Sequence, residues 1–366
     1  MRFFLVVFGT FLFSHAMADF RETSDRLGFR ASDAASRTMP GWELPKRVVI
    51  MVPPAQPDNG PGSKAWFKEV AGDAELVFVP FSERSNVALE GADVYLGWCR
   101  PGLASIDELD YVHIFSAGLD GCTRDPALVN SELIGSNSAK AASETIAEHA
   151  IAMTLALGRN LHGYRDLQAK ANWDRNWFSG SANSVNGKTM LVLGLGGIGS
   201  QTAKRAHALG MRVVATRNSR REGPEYVSYV GLSDEALKLA AEADVVVNAL
   251  PATDKTRGSI NAEFFEAMKP SAFYVSVGRG TTTDTDALVR ALNTGEISAA
   301  ALDVTDPEPL PSDHALWALP NVIITPHMAG MSDLSRATTQ ALARENLRRY
   351  VAGEPLLNKV DFKRGY

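Results

Sequence analysis

Short apolar runs recur from Lys46 onward, at "RVVIMV" (47–52), "ELVFVP" (75–80), "ADVYLGW" (92–98) and "YVHIFSA" (111–117). The stretches between them can hold helices, and this alternation predicts a parallel sheet covered on both faces. "SETIAEHAIAMTLALGRNL" (143–161) predicts a long helix. Its apolar positions recur at helical spacing, Ser143 can cap its start, and glycine is absent until Gly158. A second series follows: "KTMLVLG", "MRVVAT", "ADVVVNAL", "SAFYVSVG", "ISAAALDV" and "NVIITP". Several of these are apolar at consecutive positions, as strands buried on both faces are. Six such units over 188–326 predict a doubly wound domain, and an arginine-rich amphipathic helix is expected from Ser332 to about Tyr350, packed back on the first domain. The fold class is therefore α/β, with two doubly wound parallel-sheet domains. One spans 46–149 plus 331–366, and the other spans 150–330.

Residues 19–45 are polar, lack a period and end in "MPGWELPK", which reads as an extension or linker. Ahead of them, residues 1–18 carry one Arg, an apolar run from Phe3 to Phe13 and then Ala16-Met17-Ala18. That is the pattern of a secretory signal cleaved after Ala18. The run is well short of the roughly 20 residues that span a bilayer, so no stable membrane insertion is expected. The other reading is a start at Met17 or Met39. The first reading places the protein in the periplasm or outside the cell, and the second in the cytoplasm. A net charge of −5 argues against general nucleic-acid binding. The two cysteines, Cys99 and Cys122, lack metal-ligand spacing, and no metal site is expected. They could form one bridge, but two buried free thiols are the expectation.

"LVLGLGGIGS" (191–200) contains Gly194-x-Gly196-x-x-Gly199 between a strand and a helix. In that context the first glycine permits a tight turn and the second a close backbone approach to a pyrophosphate. The third permits helix–strand packing, while N–H groups around Gly197 and Ile198 face the phosphates. The next strand runs into "VVATRNSRRE" (213–222). An acid usually ends that strand and accepts hydrogen bonds from the ribose of NAD. Arg217 stands there instead, with Ser219, Arg220 and Arg221 behind it. A guanidinium pairs with a 2′-phosphate, so NADP is the expected cofactor, with NAD possible. A solvated basic loop tolerating either cofactor is the plainer alternative.

The sequence resembles the D-isomer-specific 2-hydroxyacid dehydrogenases, and most nearly the glyoxylate/hydroxypyruvate reductase branch. The likeness runs from Lys46 to the last helix. It rests on "SAGLDG" (116–121), "ASETIAEHAIAMTLALGR" (142–159), "LVLGLGGIG" (191–199), "VSVGRGTTTD" (275–284), "ALDVTDPEPLP" (301–311) and "NVIITPHMAG" (321–330). It implies a flavodoxin-like substrate-binding domain and a Rossmann NAD(P)-binding domain, acting as a 2-keto acid reductase on a small 2-keto or 2-hydroxy acid. Arg279 would hold the substrate carboxylate and polarise the carbonyl, His327 would exchange the proton, and Glu308 would hydrogen-bond the other imidazole nitrogen. The backbone of Ala117 and Gly118 would bind the substrate carboxylate. Gly278 would let the chain pass near the nicotinamide, and Asp303 would accept from its carboxamide. The family also implies a homodimer. His149 is expected to be packed rather than catalytic, and Arg100 is a candidate for substrate choice. Thr281, Thr282 and Thr283 depart from the family's aliphatic pattern before Asp284. A nucleotide-sensing binding protein with little turnover is the competing class.

Overall fold

The structure is a computed structural model and describes residues 20–52, 62–83, 88–119, 121–174 and 183–364. The signal-like leader lies outside the described residues. The chain divides into two compact units, one reaching to Ala142 and resuming at Ser332, the other from Ser143 to Met331.

In the first unit, every residue of β1 (Arg47–Val52) after the first is buried. A strand is buried in this way when both faces of its sheet are covered. β3 (Val94–Gly97), β4 (Tyr111–Ile114) and β5 (Ile134–Asn137) are buried throughout. With β2 (Glu75–Pro80) they form a parallel sheet ordered β2-β1-β3-β4-β5, the flavodoxin-like order. Each fully buried Val, Ile or Leu of these strands contributes roughly 1.5–3 kcal/mol.

The last helix, Asp333–Ala352, is capped by Ser332 and stops at Gly353, whose φ of 68° suits glycine. It returns to this first sheet. Ala343, Leu347 and Tyr350 enter the core, and Tyr350 stacks on Tyr111 with ring centroids 4.7 Å apart.

Two expectations for this unit are corrected. The described part of the 19–45 segment is not a linker but a clasp on the C-terminal segment. Trp42 Nε1 donates to the Tyr350 carbonyl at 2.9 Å, Arg37 Nε donates to the Gly353 carbonyl at 3.0 Å, and Ala31 bridges to Leu357. Its anchors are isolated residues with partners some 300 positions away, so no local period betrays them. Cys99 and Cys122 are not free thiols: they form a disulfide with Cα atoms 5.3 Å apart. Their 23-residue separation closes because β3 and β4 are paired neighbours and each cysteine follows its strand.

The second unit holds a seven-stranded parallel sheet ordered β12-β11-β10-β9-β6-β7-β8. Its strands are β6 (Thr189–Leu193), β7 (Arg212–Arg217), β8 (Tyr229–Leu232), β9 (Val245–Asn248), β10 (Phe273–Ser276), β11 (Ala299–Leu302) and β12 (Val322–Ile324). The helix Ser143–Gly158 belongs wholly to this unit, so the expected break after 149 falls inside it. Ala150, Met153 and Leu157 pack with Met190, Phe273 and Val275, which explains the assignment.

Candidate active site

Parallel strands bring all their carboxyl ends to one edge of the sheet, where ligands of doubly wound folds bind. Arg279 follows β10, Asp303 and Glu308 follow β11, and His327 follows β12; these three strands are consecutive in the sheet. The glycine turn follows β6, and Arg217 is the last residue of its neighbour β7. The candidate residues of this unit thus share one edge.

His327 Nδ1 lies 2.6 Å from Glu308 Oε1, with both side chains nearly half exposed. An ionised carboxylate only accepts, so Nδ1 carries the proton and Nε2 remains for proton exchange. The His327 backbone is left-handed, with φ of 53°, a region that non-glycine residues visit rarely. Asp303 holds it there. Its carbonyl accepts from His327 N–H at 2.8 Å. Its carboxylate accepts from Thr325 Oγ1 (2.6 Å), Met328 N–H (2.9 Å) and Ala329 N–H (3.0 Å). Asp303 is almost wholly buried, so its carboxylate serves the loop around His327. His149, on the helix Ser143–Gly158, joins this cluster through Thr325 Oγ1 at 3.0 Å.

Arg279 is half-buried and begins the short turn Gly280–Thr282, with Nη1 donating to the Gly278 carbonyl at 2.8 Å. Thr282 Oγ1 donates to the Arg279 carbonyl at 2.7 Å and accepts from Asn248 Nδ2 at 2.8 Å. Thr283 Oγ1 lies 2.6 Å from the Tyr274 hydroxyl, and burial holds that phenol above its ordinary range. Of the threonines that depart from the family pattern, Thr282 therefore braces the arginine turn and Thr283 ties its end to Tyr274, while Thr281 Oγ1 is buried with no partner among the described residues. At Gly278 the close approach is to the protein's own chain: a Cβ would lie 2.8 Å from the Leu250 backbone nitrogen.

The helix Gly197–Ala208 starts at Gly196 without a side-chain cap among the described residues, and the N–H groups of its first turn, Gly197, Ile198 and Gly199, have no carbonyl of their own helix to bond. Gly194 has φ of 88°, and a Cβ at Gly199 would overlap the Gly194 carbonyl oxygen. A Cβ on Gly196 would meet nothing within 4 Å, which leaves its backbone approachable.

Arg217 Nε is buried and has no hydrogen-bond partner among the described residues. Burial, and next the positive charge of Arg220, lower the proton affinity of Arg217, while Glu222 opposes them. Two mutually repelling guanidiniums and an orphaned donor suit a dianion. Ser219 and Arg220 are exposed beside it. Arg221, grouped with them on sequence, is turned elsewhere: Nη1 binds Glu235 Oε1 at 2.6 Å and the Tyr229 hydroxyl at 3.1 Å. The residues present fit an NAD(P) cofactor.

In the first unit, Ala117 and Gly118 lie in the loop after β4. Ser116 Oγ donates to the Gly118 carbonyl at 2.7 Å, and Asn137 Nδ2 donates to the Ala117 carbonyl at 2.8 Å. Thr325, Asn248, Thr282 and Asn137 were not singled out as functional supports on sequence. Their signal is a polar residue inside or beside an apolar strand, and it acquires meaning only once its distant partner is known.

A glycine turn opening a helix and a paired His–Glu at the carboxyl edge of a doubly wound sheet are features of a nucleotide-dependent oxidoreductase. Residues 151–329 match the family model described as "D-isomer specific 2-hydroxyacid dehydrogenase, NAD binding domain". The glyoxylate/hydroxypyruvate reductase B of Escherichia fergusonii is 34% identical, over 67% of this chain and 76% of that one. A family member from Xanthobacter autotrophicus, solved with NADPH and MES, superposes with a TM-score of 0.71 at 27% identity. That match covers 87% of this chain and 99% of the other. The NADPH-dependent glyoxylate/hydroxypyruvate reductase of Sinorhizobium meliloti, solved with NADP and malonate, gives 0.70 at 25% identity, covering 87% and 98%. The chain belongs to the D-isomer specific 2-hydroxyacid dehydrogenase family. It is an oxidoreductase acting on a CH–OH group with NAD(P).

Proposed function

We propose that this enzyme reduces small 2-keto acids of the glyoxylate or hydroxypyruvate kind, preferring NADPH to NADH. The observation that carries this reading is the 2.6 Å His327–Glu308 pair at the sheet edge shared with Arg279. A bound nicotinamide cofactor supplies the hydride. The Arg279 guanidinium holds the substrate carboxylate and draws electron density from the adjacent carbonyl. His327 delivers a proton from Nε2 to the developing alkoxide, and Glu308 keeps the ring oriented through Nδ1. In the reverse direction the same nitrogen accepts the proton. The turn at Gly194–Gly199 and the first helical turn hold the pyrophosphate. Arg217, with Ser219 and Arg220, holds the 2′-phosphate that distinguishes NADP from NAD. Solved relatives carrying NADPH and NADP support the cofactor choice, and the malonate in one of them supports a small acidic substrate.

The test is the initial rate of cofactor oxidation with glyoxylate, hydroxypyruvate and larger 2-keto acids, each with NADPH and with NADH. The expected result is turnover with an NADPH preference that falls about tenfold to a hundredfold in Arg217→Asp. Equal rates with both cofactors would reduce the basic loop to a solvated one. Tight NADPH binding without turnover of any keto acid would replace the reductase reading by nucleotide sensing.

A further inference from the structure

The loop after β4 is tied down by its carbonyls. Besides the bonds from Ser116 and Asn137, the Leu119 carbonyl accepts from Cys122 N–H (2.8 Å), Thr123 N–H (2.9 Å) and Thr123 Oγ1 (3.3 Å). The N–H groups of Ala117 and Gly118 donate to no protein acceptor among the described residues. Ala117 is exposed and Gly118 half-buried, and consecutive amides without a protein acceptor whose carbonyls are tied back can donate to an anion.

Just beyond these amides the loop is fixed covalently. Cys122 is fully buried, and its partner Cys99 sits half-buried in the loop after β3. Gly102 N–H donates to Asp125 Oδ2 at 3.1 Å, a second tie between the same two loops. The strands themselves do not need the bridge. β3 and β4 are paired along their length, and Phe115 N–H reaches the Gly97 carbonyl at 2.8 Å. What the bridge adds is restraint on the segments past the strand ends, where the Ala117 and Gly118 amides lie.

We propose that the Cys99–Cys122 disulfide is a positioning pair for the substrate. It holds the 116–119 loop so that the Ala117 and Gly118 amides converge on the carboxylate of the 2-keto acid. Affinity for that acid then depends on the bridge being oxidised. The identity of the anion rests on the reductase reading above; the restraint on the loop does not. Neither cysteine touches substrate, so the pair acts on binding rather than on hydride or proton transfer.

The experiment compares the oxidised full chain, the same protein treated with dithiothreitol, and the Cys99→Ala/Cys122→Ala variant. In the treated sample dithiothreitol thiolates displace the two sulfurs in turn. Two electrons and two protons end on Cys99 and Cys122, and the reagent leaves as a cyclic disulfide. The expected result is a KM for glyoxylate raised about tenfold, with kcat within about twofold and the KM for NADPH unchanged. Reoxidation with oxidised glutathione restores the first value, and the double variant matches the reduced protein and ignores the reagent. An unchanged keto-acid KM overturns the proposal, as do parallel losses in every parameter. Two alkylatable thiols in the untreated, air-oxidised protein overturn it as well. If the oxidised protein turns over no keto acid, the reductase reading fails separately. Amide hydrogen exchange at residues 116–119 then decides: faster exchange on reduction upholds the positioning role, and unchanged exchange rejects it.

Discussion

Asp303 ties together the loop that carries His327. A left-handed backbone at a non-glycine residue costs about 1–3 kcal/mol, and the convergence of Thr325, Met328 and Ala329 on one carboxylate offsets that cost. An amide in its place has a single acceptor oxygen and turns an NH2 toward a donor. Asp303→Asn is therefore expected to lose about 1–3 kcal/mol of stability and to lower kcat more than it raises the KM for cofactor. Urea unfolding with steady-state rates checks this; a variant of native stability and native kcat would remove Asp303 from the support of the loop. Arg279, Glu308 and His327 were legible in the sequence because each sits in a short block whose order along the chain is distinctive. Their supports were not. Nothing local separates Arg217, whose Nε has no partner among the described residues, from Arg221, which binds Glu235, because the difference lies in what β8 and the Ser233–Glu235 turn bring alongside.

At the level of elements, the contact between β6 and the helix Gly197–Ala208 depends on one missing methyl group. A Cβ at Gly199 would press on the Gly194 carbonyl oxygen and lie 2.9 Å from Val192 Cγ1, and backbone cannot yield as a side chain does. Gly199→Ala is expected to cost about 1–3 kcal/mol and to weaken NADPH binding. Gly196→Ala meets no atom of the described residues within 4 Å, so it should melt like the wild type and lose affinity for the cofactor alone. Thermal unfolding and cofactor titration on both variants separate the two roles; equal melting temperatures for all three proteins would refute the steric argument. Most strands showed in the sequence because they are apolar on consecutive positions. β5 did not: Ile134-Gly135-Ser136-Asn137 is half polar, and it is buried because Ser136 bonds the Tyr111 hydroxyl and the His113 ring, each at 2.7 Å. β8 is illegible for another reason, being a four-residue edge strand with one exposed end.

Across the whole molecule, acid acts through a buried histidine. Burial lowers the pKa of His113 from its ordinary 6.5 to about 3. The unfolded chain takes up a proton below 6.5, while the folded chain does not until about 3. The stability this group contributes is therefore complete above pH 6.5 and is lost toward pH 3, by about 1.4 kcal/mol per pH unit in between. Asp110 opposes it. Burial first, then Asp93 and Glu43, raise its pKa from 3.8 to about 6, with Lys46 acting the other way, so its contribution is present below 3.8 and lost as pH rises through 6. His113→Gln removes one proton from the balance. Urea unfolding between pH 3.5 and 6.5 should show a shallower acid decline for the variant, and equal slopes would contradict the burial argument.

The His113 cluster also sets an order of events during synthesis. Asn346, on the returning helix, donates to Ser136 Oγ at 3.3 Å and to the Leu357 carbonyl at 3.0 Å, and Tyr350 covers Tyr111. At roughly 5–20 residues per second, the ribosome reaches that helix about 10–40 s after finishing β5. The unit from Ser143 to Met331 is uninterrupted and can close during the wait. The five-stranded sheet spends that interval without Ala343, Leu347, Tyr350, Leu356, Val360 and Phe362 of its core, a stretch in which a holding chaperone has something to hold. The half of the enzyme that is made first is finished last.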